Sequence, residues 1–264
     1  MRFSSILRWS GSKAKLLPAL INAAPPRFEK YIEPFAGSAC LYFMTQPCNA
    51  ILGDANSSVI DVYRCIAFDP HALADLLDSI PKTTEAFYTL RSLDPDKLTL
   101  PERAARMIFL MKACFNGVYR TNQQGKFNVP MGNRVYALPS REQLVNVQKL
   151  LQGATLISGD FAETTLHARA DDWIYLDPPY RQPGRNRGEY GTIFGKDAMT
   201  RLISEAQRLA DLGGQVTISF TEDDELISKL PGWSLSRIDT RRTVSALASA
   251  RKIANEIILT SYQR

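Results

Sequence analysis

The sequence predicts an α/β fold, in which a Rossmann-like, mainly parallel sheet is interrupted by a mainly helical insertion bearing a hairpin. Strand and helix patterns alternate near the N-terminus and again after residue 150, which is typical of parallel sheets. Helical patterns dominate the region between. A length of 264 residues accommodates a sheet domain together with a smaller module.

The elements follow in order along the chain. In the first third we expect a helix at 13–23, a strand at 31–35, a helix from about residue 38, and a strand at 50–54. The middle predicts four helices, at 57–68, 71–79, 84–92 and 101–115. After residue 150 we expect two strands, at 155–160 and 172–177, and then a helix at 197–212. Three strands follow, at 215–220, 233–238 and 255–262.

Two structural units follow from this order. Residues 1–56 and 151–264 would together form the sheet domain, and residues 57–150 the insertion. Glycines and prolines between residues 116 and 139 predict a hairpin or an ordered loop within the insertion.

The net charge of +5 is distributed unevenly. Three turn-rich segments, 116–149, 181–201 and 237–252, are each net positive, whereas the rest of the chain is mildly acidic. Such segments suit contacts with phosphate, although solvated loops have the same composition. No apolar run reaches the ~18 residues of a membrane span, and no secretion signal is evident. We therefore expect a cytoplasmic protein without a membrane partner.

Metal binding is not expected. The chain has two histidines and four widely separated cysteines, with no pair at ligand spacing.

The sharpest motif is Asp177-Pro178-Pro179-Tyr180, which follows an apolar strand. Ligands bind at strand ends in open α/β sheets. Two prolines hold the local carbonyls and the Asp177 carboxylate rigidly, and Tyr180 adds a ring that can stack on a base. This acceptor-rich platform suits an amino group on a flat ring, such as adenine. A proline-stiffened strand exit is the structural alternative.

A second strand end predicts a nucleoside site. The segment 32–39 runs from a strand through Glu33, Phe35 and Gly37 into a helix. Asp54 ends the next strand about 20 residues later, the spacing of an acid that binds a ribose diol. No phosphate-binding GxxxxGK[ST] loop is present, so the pattern favours a nucleoside without a polyphosphate.

These motifs and their order resemble those of the Dam-type DNA adenine-N6 methyltransferases, the D12 class of the alpha group, over nearly the whole chain. Residues 7–13 are similar to the motif that closes over the methionine end of S-adenosyl-L-methionine, and residues 33–37 to the cofactor loop. The resemblance implies cofactor-binding roles for Trp9, Lys13, Glu33, Phe35, Gly37, Asp54, Asp160, Phe161 and Asp177, and a catalytic role for Asp177, Pro178, Pro179 and Tyr180.

Segments 115–120 and 125–132 are similar to the DNA-contacting hairpin of this family. Together with the basic composition of segments 116–149 and 181–201, this resemblance predicts that duplex DNA is contacted by Arg8, Asn116, Arg120, Lys126, Asn128, Arg134 and Arg185. The expected target is a short palindrome containing GA, with GATC the leading candidate, read by a monomer without a metal. A cytoplasmic, nucleoid-associated enzyme of bacterial or phage origin follows, with a restriction endonuclease as one candidate partner.

The chain departs from the family pattern at two positions: Ser12 and Ala39 stand where the family often has glycine. Both are small, so we expect close backbone approach to survive with weaker cofactor binding. Three alternatives share parts of the pattern. They are an RNA amino-methyltransferase, a cytosine-N4 DNA methyltransferase, and a DNA-binding protein without activity.

Overall fold

A seven-stranded sheet forms the centre of the computed structural model, which describes residues 5–179, 194–241 and 253–263. The strands are β1 (Tyr31–Glu33), β2 (Ala50–Asp54), β3 (Ala154–Ser158), β4 (Trp173–Leu176), β5 (Gln215–Thr221), β6 (Ser234–Arg241) and β7 (Ile253–Thr260). Their order across the sheet is β3-β2-β1-β4-β5-β7-β6. Strands β1 to β5 run parallel to one another, and β7 is antiparallel to β5 and β6.

The strand order reverses at β1. Strand β2 pairs with one edge of β1 and β4 with the other, so that Ile32 lies opposite Ile51 on one side and Ile174 on the other. In open α/β sheets this reversal leaves a crevice at the carboxyl ends of the two central strands, where ligands bind.

Successive side chains of the buried strands point to opposite faces, and each face has its own core. Tyr31, Trp173 and Tyr175 belong to one core, while Ile32 and Ile174 belong to the other. On the first face pack α1 (Leu17–Ala23), α2 (Cys40–Thr45), α3 (Ser57–Phe68), α4 (Pro70–Ser79), α5 (Thr84–Ser92), α6 (Leu100–Ala113) and α7 (Arg141–Leu151). On the second pack α8 (Phe161–Thr165), α9 (Lys196–Asp211) and α10 (Asp224–Lys229).

Most predicted elements are present, and the predicted α/β class is confirmed. The helix predicted over 13–23 is wrong at its start, because residues 13–15 form a 3₁₀ turn before α1. The helix predicted to reach residue 115 ends at Ala113, since Cys114 is extended. Helix α7 was not predicted, although Ser140 and Gln143 form the capping box that marks its start.

The glycine-rich stretch after α6 forms a small hairpin within an irregular loop. An antiparallel bridge joins Thr121 to Phe127, and another joins Cys114 to Met131. The Asn122 side chain caps the turn by accepting hydrogen bonds from the backbone N–H groups of Gln124 and Lys126. The backbone N–H of Asn128 also donates to the Arg120 carbonyl at 3.0 Å, and we call residues 120–128 the recognition hairpin.

The helices of 57–150 share the first core with the strands, since Val59 and Ile108 cluster with Leu52 and Trp173. The division into two units therefore remains a prediction. No helix in the described part of the chain has the length and apolar character needed to cross a membrane.

Candidate active site

Three carboxylates lie at the carboxyl ends of three neighbouring strands. Asp54 ends β2, Glu33 ends β1, and Asp177 directly follows β4. They surround the point where the strand order reverses. The two motifs predicted to frame a nucleoside therefore meet at one edge of the sheet.

Glu33 is almost fully enclosed, with 3% of its surface exposed. Burial raises the pKa of Glu33 to about 8, even though the hydroxyl of Tyr31 donates a hydrogen bond to its Oε2 at 2.8 Å. The nearby charge of Asp177 raises this pKa further. A buried carboxyl of this kind stays largely protonated at neutral pH unless a cation approaches it.

Asp54 holds the loop between β1 and α2. Its carboxylate accepts hydrogen bonds from the backbone N–H of Gly37 at 2.9 Å and of Asn56 at 2.8 Å. Burial nevertheless raises the pKa of Asp54 to about 6, because these two bonds only partly offset the loss of solvation. The carboxylate thus fixes the middle of this loop and the start of α3 together.

Gly37 must be a glycine here. Its φ is +46°, and a Cβ atom would lie 2.8 Å from Cδ1 of Trp9. Ala39, where the family often has glycine, has φ of +47°, a left-handed conformation that costs an L-residue about 1–2 kcal/mol. Ser12, the other departure, accepts a hydrogen bond from the Ser38 hydroxyl at 3.0 Å and so joins the N-terminal motif to this loop.

Asp177 is fixed through one of its oxygens. Lys13 Nζ lies 2.5 Å from Asp177 Oδ1, and the Ser219 hydroxyl donates to the same atom at 3.1 Å. The hydroxyls of Tyr175 and Ser219 are 2.8 Å apart. Burial raises the pKa of Asp177, while the Lys13 charge and these hydrogen bonds lower it.

An aromatic wall flanks the carboxylates. The rings of Phe35 and Phe161 stack with centroids 5.6 Å apart. Asp160 caps α8 and accepts a hydrogen bond from Arg201 at 2.6 Å, and the Arg201 guanidinium also lies 5.0 Å from the centre of the Phe161 ring. Asp160, Phe161 and Phe35, which the sequence predicts as cofactor residues, therefore adjoin one another.

The residues predicted to contact DNA lie on and around the recognition hairpin. Arg120, Lys126 and Arg134 are exposed, and Arg120 Nε donates to Asn128 Oδ1 at 2.8 Å. Asn116 is exposed with φ of +55°. Arg8 packs against Gly117 and donates to the Cys114 carbonyl at 3.4 Å. Two predicted site residues, Tyr180 and Arg185, lie outside the described residues.

The donor set fits a cationic nucleoside cofactor. Glu33 and Asp54 are carboxyl groups whose charged forms are disfavoured by burial, so a ligand carrying positive charge is favoured beside them. The absence of a side chain at Gly37 lets the Trp9 ring pack directly on the backbone of the loop after β1. Within the described residues, no group of three His, Cys, Asp or Glu side chains is arranged to hold a metal ion.

Sequence reasoning missed four residues that line this site: Ser219, Tyr175, Tyr119 and Arg201. The sequence did contain a signal for Ser219: two hydroxyl residues, Thr217 and Ser219, alternate within an apolar strand. Both are fully buried on one face of β5, next to β4, which Asp177 directly follows. Tyr119 lies in the segment 115–120 singled out from the sequence, but no local pattern predicts its contact with Trp9, nor that of Arg201 with Asp160, because these partners are distant in sequence.

Comparison with known proteins points to one family. The family model described as D12 class N6 adenine-specific DNA methyltransferase matches residues 9–244. The chain is 30% identical over 270 residues to the type II methyltransferase M1.LlaDCHI of Lactococcus lactis subsp. cremoris, covering 97% of this chain and 94% of the relative. It is 26% identical over 262 residues to a DNA adenine methylase of Vibrio cholerae serotype O1, which covers 96% of this chain and 94% of the relative.

The burial of Glu33 predicts a specific pH dependence of stability. The pKa of Glu33 is about 8 in the folded protein and near 4.5 when the carboxyl is solvated. Between these pH values the folded state holds a proton that the unfolded state has lost, so the free energy of unfolding falls as pH rises from 4.5 to 8. Glu33→Gln should flatten the slope by up to about 1.4 kcal/mol per pH unit. Urea unfolding of the ligand-free protein from pH 5 to pH 8 measures this.

Glu29→Gln is the matched control, since it removes an exposed glutamate just before the same strand. This control should keep the wild-type slope. Equal slopes for the wild type and Glu33→Gln would contradict the assignment of a raised pKa to Glu33.

Proposed function

The chain belongs to the D12 class of N6 adenine-specific DNA methyltransferases, and on this premise we propose that it methylates an adenine flipped out of duplex DNA, within GATC, using S-adenosyl-L-methionine. Adenine-specific methylation of DNA follows from the family and decides against the RNA, cytosine-N4 and inactive alternatives. The observation that carries the proposal is the position of Asp177, which is held by Lys13 beside Glu33 at the reversal of the sheet.

The cofactor would lie along the carboxyl ends of β1, β2 and β3. We assign it to Trp9, Lys13, Glu33, Phe35, Gly37, Asp54, Asp160, Phe161 and Asp177. Glu33 would face its positive charge, Asp54 its ribose, and Asp160 with Phe161 its adenine ring. When bound, S-adenosyl-L-methionine supplies an electrophilic methyl group. The buried setting of Glu33 excludes water and strengthens its attraction for a cation.

The catalytic assignment rests on the chemistry of the target amine. The adenine amino nitrogen is a poor nucleophile because its lone pair is conjugated with the ring. Hydrogen bonds from this amine to Asp177 and to the Pro178 carbonyl would draw the lone pair out of conjugation and orient it. Pro179 stiffens the platform, and Tyr180 would stack on the flipped base.

DNA reading is assigned to the insertion 57–150 together with Arg8 and Arg185. Arg120 on the recognition hairpin is exposed and oriented by Asn128, as a residue that reads a guanine edge must be. Lys126 and Arg134 would contact phosphate, and Asn116 would fill the space left by the flipped adenine or hold the partner thymine. We propose a monomer that acts on each strand in turn. A cognate restriction endonuclease is supported by the name of one relative, a type II methyltransferase.

Expression in a bacterial host that lacks adenine methylation tests this proposal. Long-read sequencing of the host DNA should reveal N6-methyladenine at GATC on both strands. Asp177→Ala should retain less than a tenth of the activity, a loss above ~1.4 kcal/mol in transition-state stabilisation, because the carboxylate acts on the reacting nitrogen.

The matched control is Asp211→Ala, which removes an exposed aspartate at the end of α9 and should methylate as the wild type does. Methylation of cytosine, or undiminished activity of Asp177→Ala, would overturn the mechanism. Methylation of adenine in another motif would overturn the GATC assignment alone.

Ser219 acts as a positioning residue in this mechanism. Together with Lys13 it occupies Oδ1 of Asp177, so that the other oxygen is turned toward the target amine. The Tyr175 hydroxyl is in hydrogen-bond contact with that of Ser219 and lies in the buried core. A hydrogen bond to a charged group contributes about 1.5–3 kcal/mol, so losing it should misplace the carboxylate measurably.

Ser219→Ala should therefore lower kcat about 10-fold or more while leaving the KM for S-adenosyl-L-methionine nearly unchanged. Ser219→Thr keeps the hydroxyl and should restore most of kcat. Steady-state kinetics with a GATC duplex separates the two constants. Wild-type kcat in Ser219→Ala, or failure of the threonine variant to recover, would remove Ser219 from this role.

A further inference from the structure

Trp9 is in direct contact with both halves of the proposed site. On one side its ring lies against Gly37, so closely that a Cβ atom there would be 2.8 Å from Trp9 Cδ1. On the other side its ring stacks on Tyr119, with centroids 5.7 Å apart and planes 25° apart. A single indole therefore joins the loop after β1 to the segment after α6.

The contact continues into the recognition hairpin. The centroid of the Tyr119 ring lies 5.7 Å from that of Phe127, which is buried at the base of the hairpin opposite Thr121. Tyr119 directly precedes Arg120, whose carbonyl accepts a hydrogen bond from Asn128 N at 3.0 Å. We call Trp9, Tyr119 and Phe127 the aromatic row.

The backbone reinforces this arrangement. Ser10 N donates to the Gly117 carbonyl at 3.0 Å. A Cβ atom on Gly117 would lie 2.7 Å from Cγ of Arg8, so the two segments touch without intervening space. Closely packed groups transmit small displacements because they cannot compress. A shift of Trp9 must therefore be followed by Tyr119.

We propose that Tyr119 couples the two ligands: cofactor bound against Trp9 strengthens binding of DNA to the recognition hairpin, and DNA strengthens cofactor binding by the same factor. This inference rests on the proposed function, which assigns Trp9 to the cofactor and the hairpin to DNA. Equality of the two effects is required by thermodynamic linkage.

The sign of the coupling follows from ordering. A cofactor that immobilises Trp9 also immobilises Tyr119 and, through Phe127, the two arms of the recognition hairpin. DNA then binds a hairpin whose ordering cost has already been met. Hydrogen exchange gives an observable for this step, because the amides of Asn122 and Asn128 both donate hydrogen bonds across the hairpin.

The test is a binding cycle with S-adenosylhomocysteine, which cannot donate a methyl group, and a GATC duplex. For the wild type, the Kd of each ligand should fall about 5-fold or more when the other is saturating. Tyr119→Phe keeps the ring and should keep this ratio, whereas Tyr119→Ala should reduce it to near one. Cofactor analogue alone should slow exchange at Asn122 and Asn128 in the first two proteins and not in the third.

A wild-type ratio of one, or an undiminished ratio in Tyr119→Ala, would overturn the coupling while leaving the proposed function intact, since each ligand would still bind alone. Failure of the wild type to bind either ligand would instead overturn the proposed function. If Tyr119→Ala does not fold, Phe127→Leu interrupts the row on the other side of Tyr119 and should lower the ratio in the same way.

Discussion

The carboxylates gathered at the ends of β2, β1 and β4 are the constraint on which the rest of the structure depends. Burying acids without equivalent positive charge is costly, and the raised pKa values of Glu33 and Asp54 record that cost. Tyr31 and the backbone N–H groups that bond these acids reduce it in part. The cationic cofactor that we propose would complete the charge balance of this site.

The N-terminal segment packs against this site through three residues. Lys13 forms an ion pair with Asp177, Ser12 is hydrogen-bonded to Ser38, and the Trp9 ring packs on Gly37. Each contact joins residues far apart in sequence to one short stretch of backbone. Because Trp9 also stacks on Tyr119, the segment that we assign to the cofactor contacts the segment that we assign to DNA. In the proposed function, cofactor binding and target reading would thus share a structural element.

The sequence alone predicted the motifs at strand ends well, because these depend on local chemistry. Both ends of α3, both ends of β2 and the family itself are confirmed. The contacts of Ser219 with Asp177 and of Arg201 with Asp160 were not predicted, since each joins two elements whose pairing no local pattern records. The left-handed Ala39 was missed because propensity disfavours it, and the surrounding structure imposes it.

Proton release on cofactor binding tests most directly the claim that buried carboxylates form the cofactor site. At pH 7 a Glu33 with a pKa of about 8 is largely protonated, and a cation bound beside it should expel that proton. Calorimetric titration with S-adenosyl-L-methionine in two buffers of different ionisation enthalpy should show release of close to one proton per protein, and Glu33→Gln should abolish this release. A binding heat for the wild type that is independent of the buffer would contradict the account.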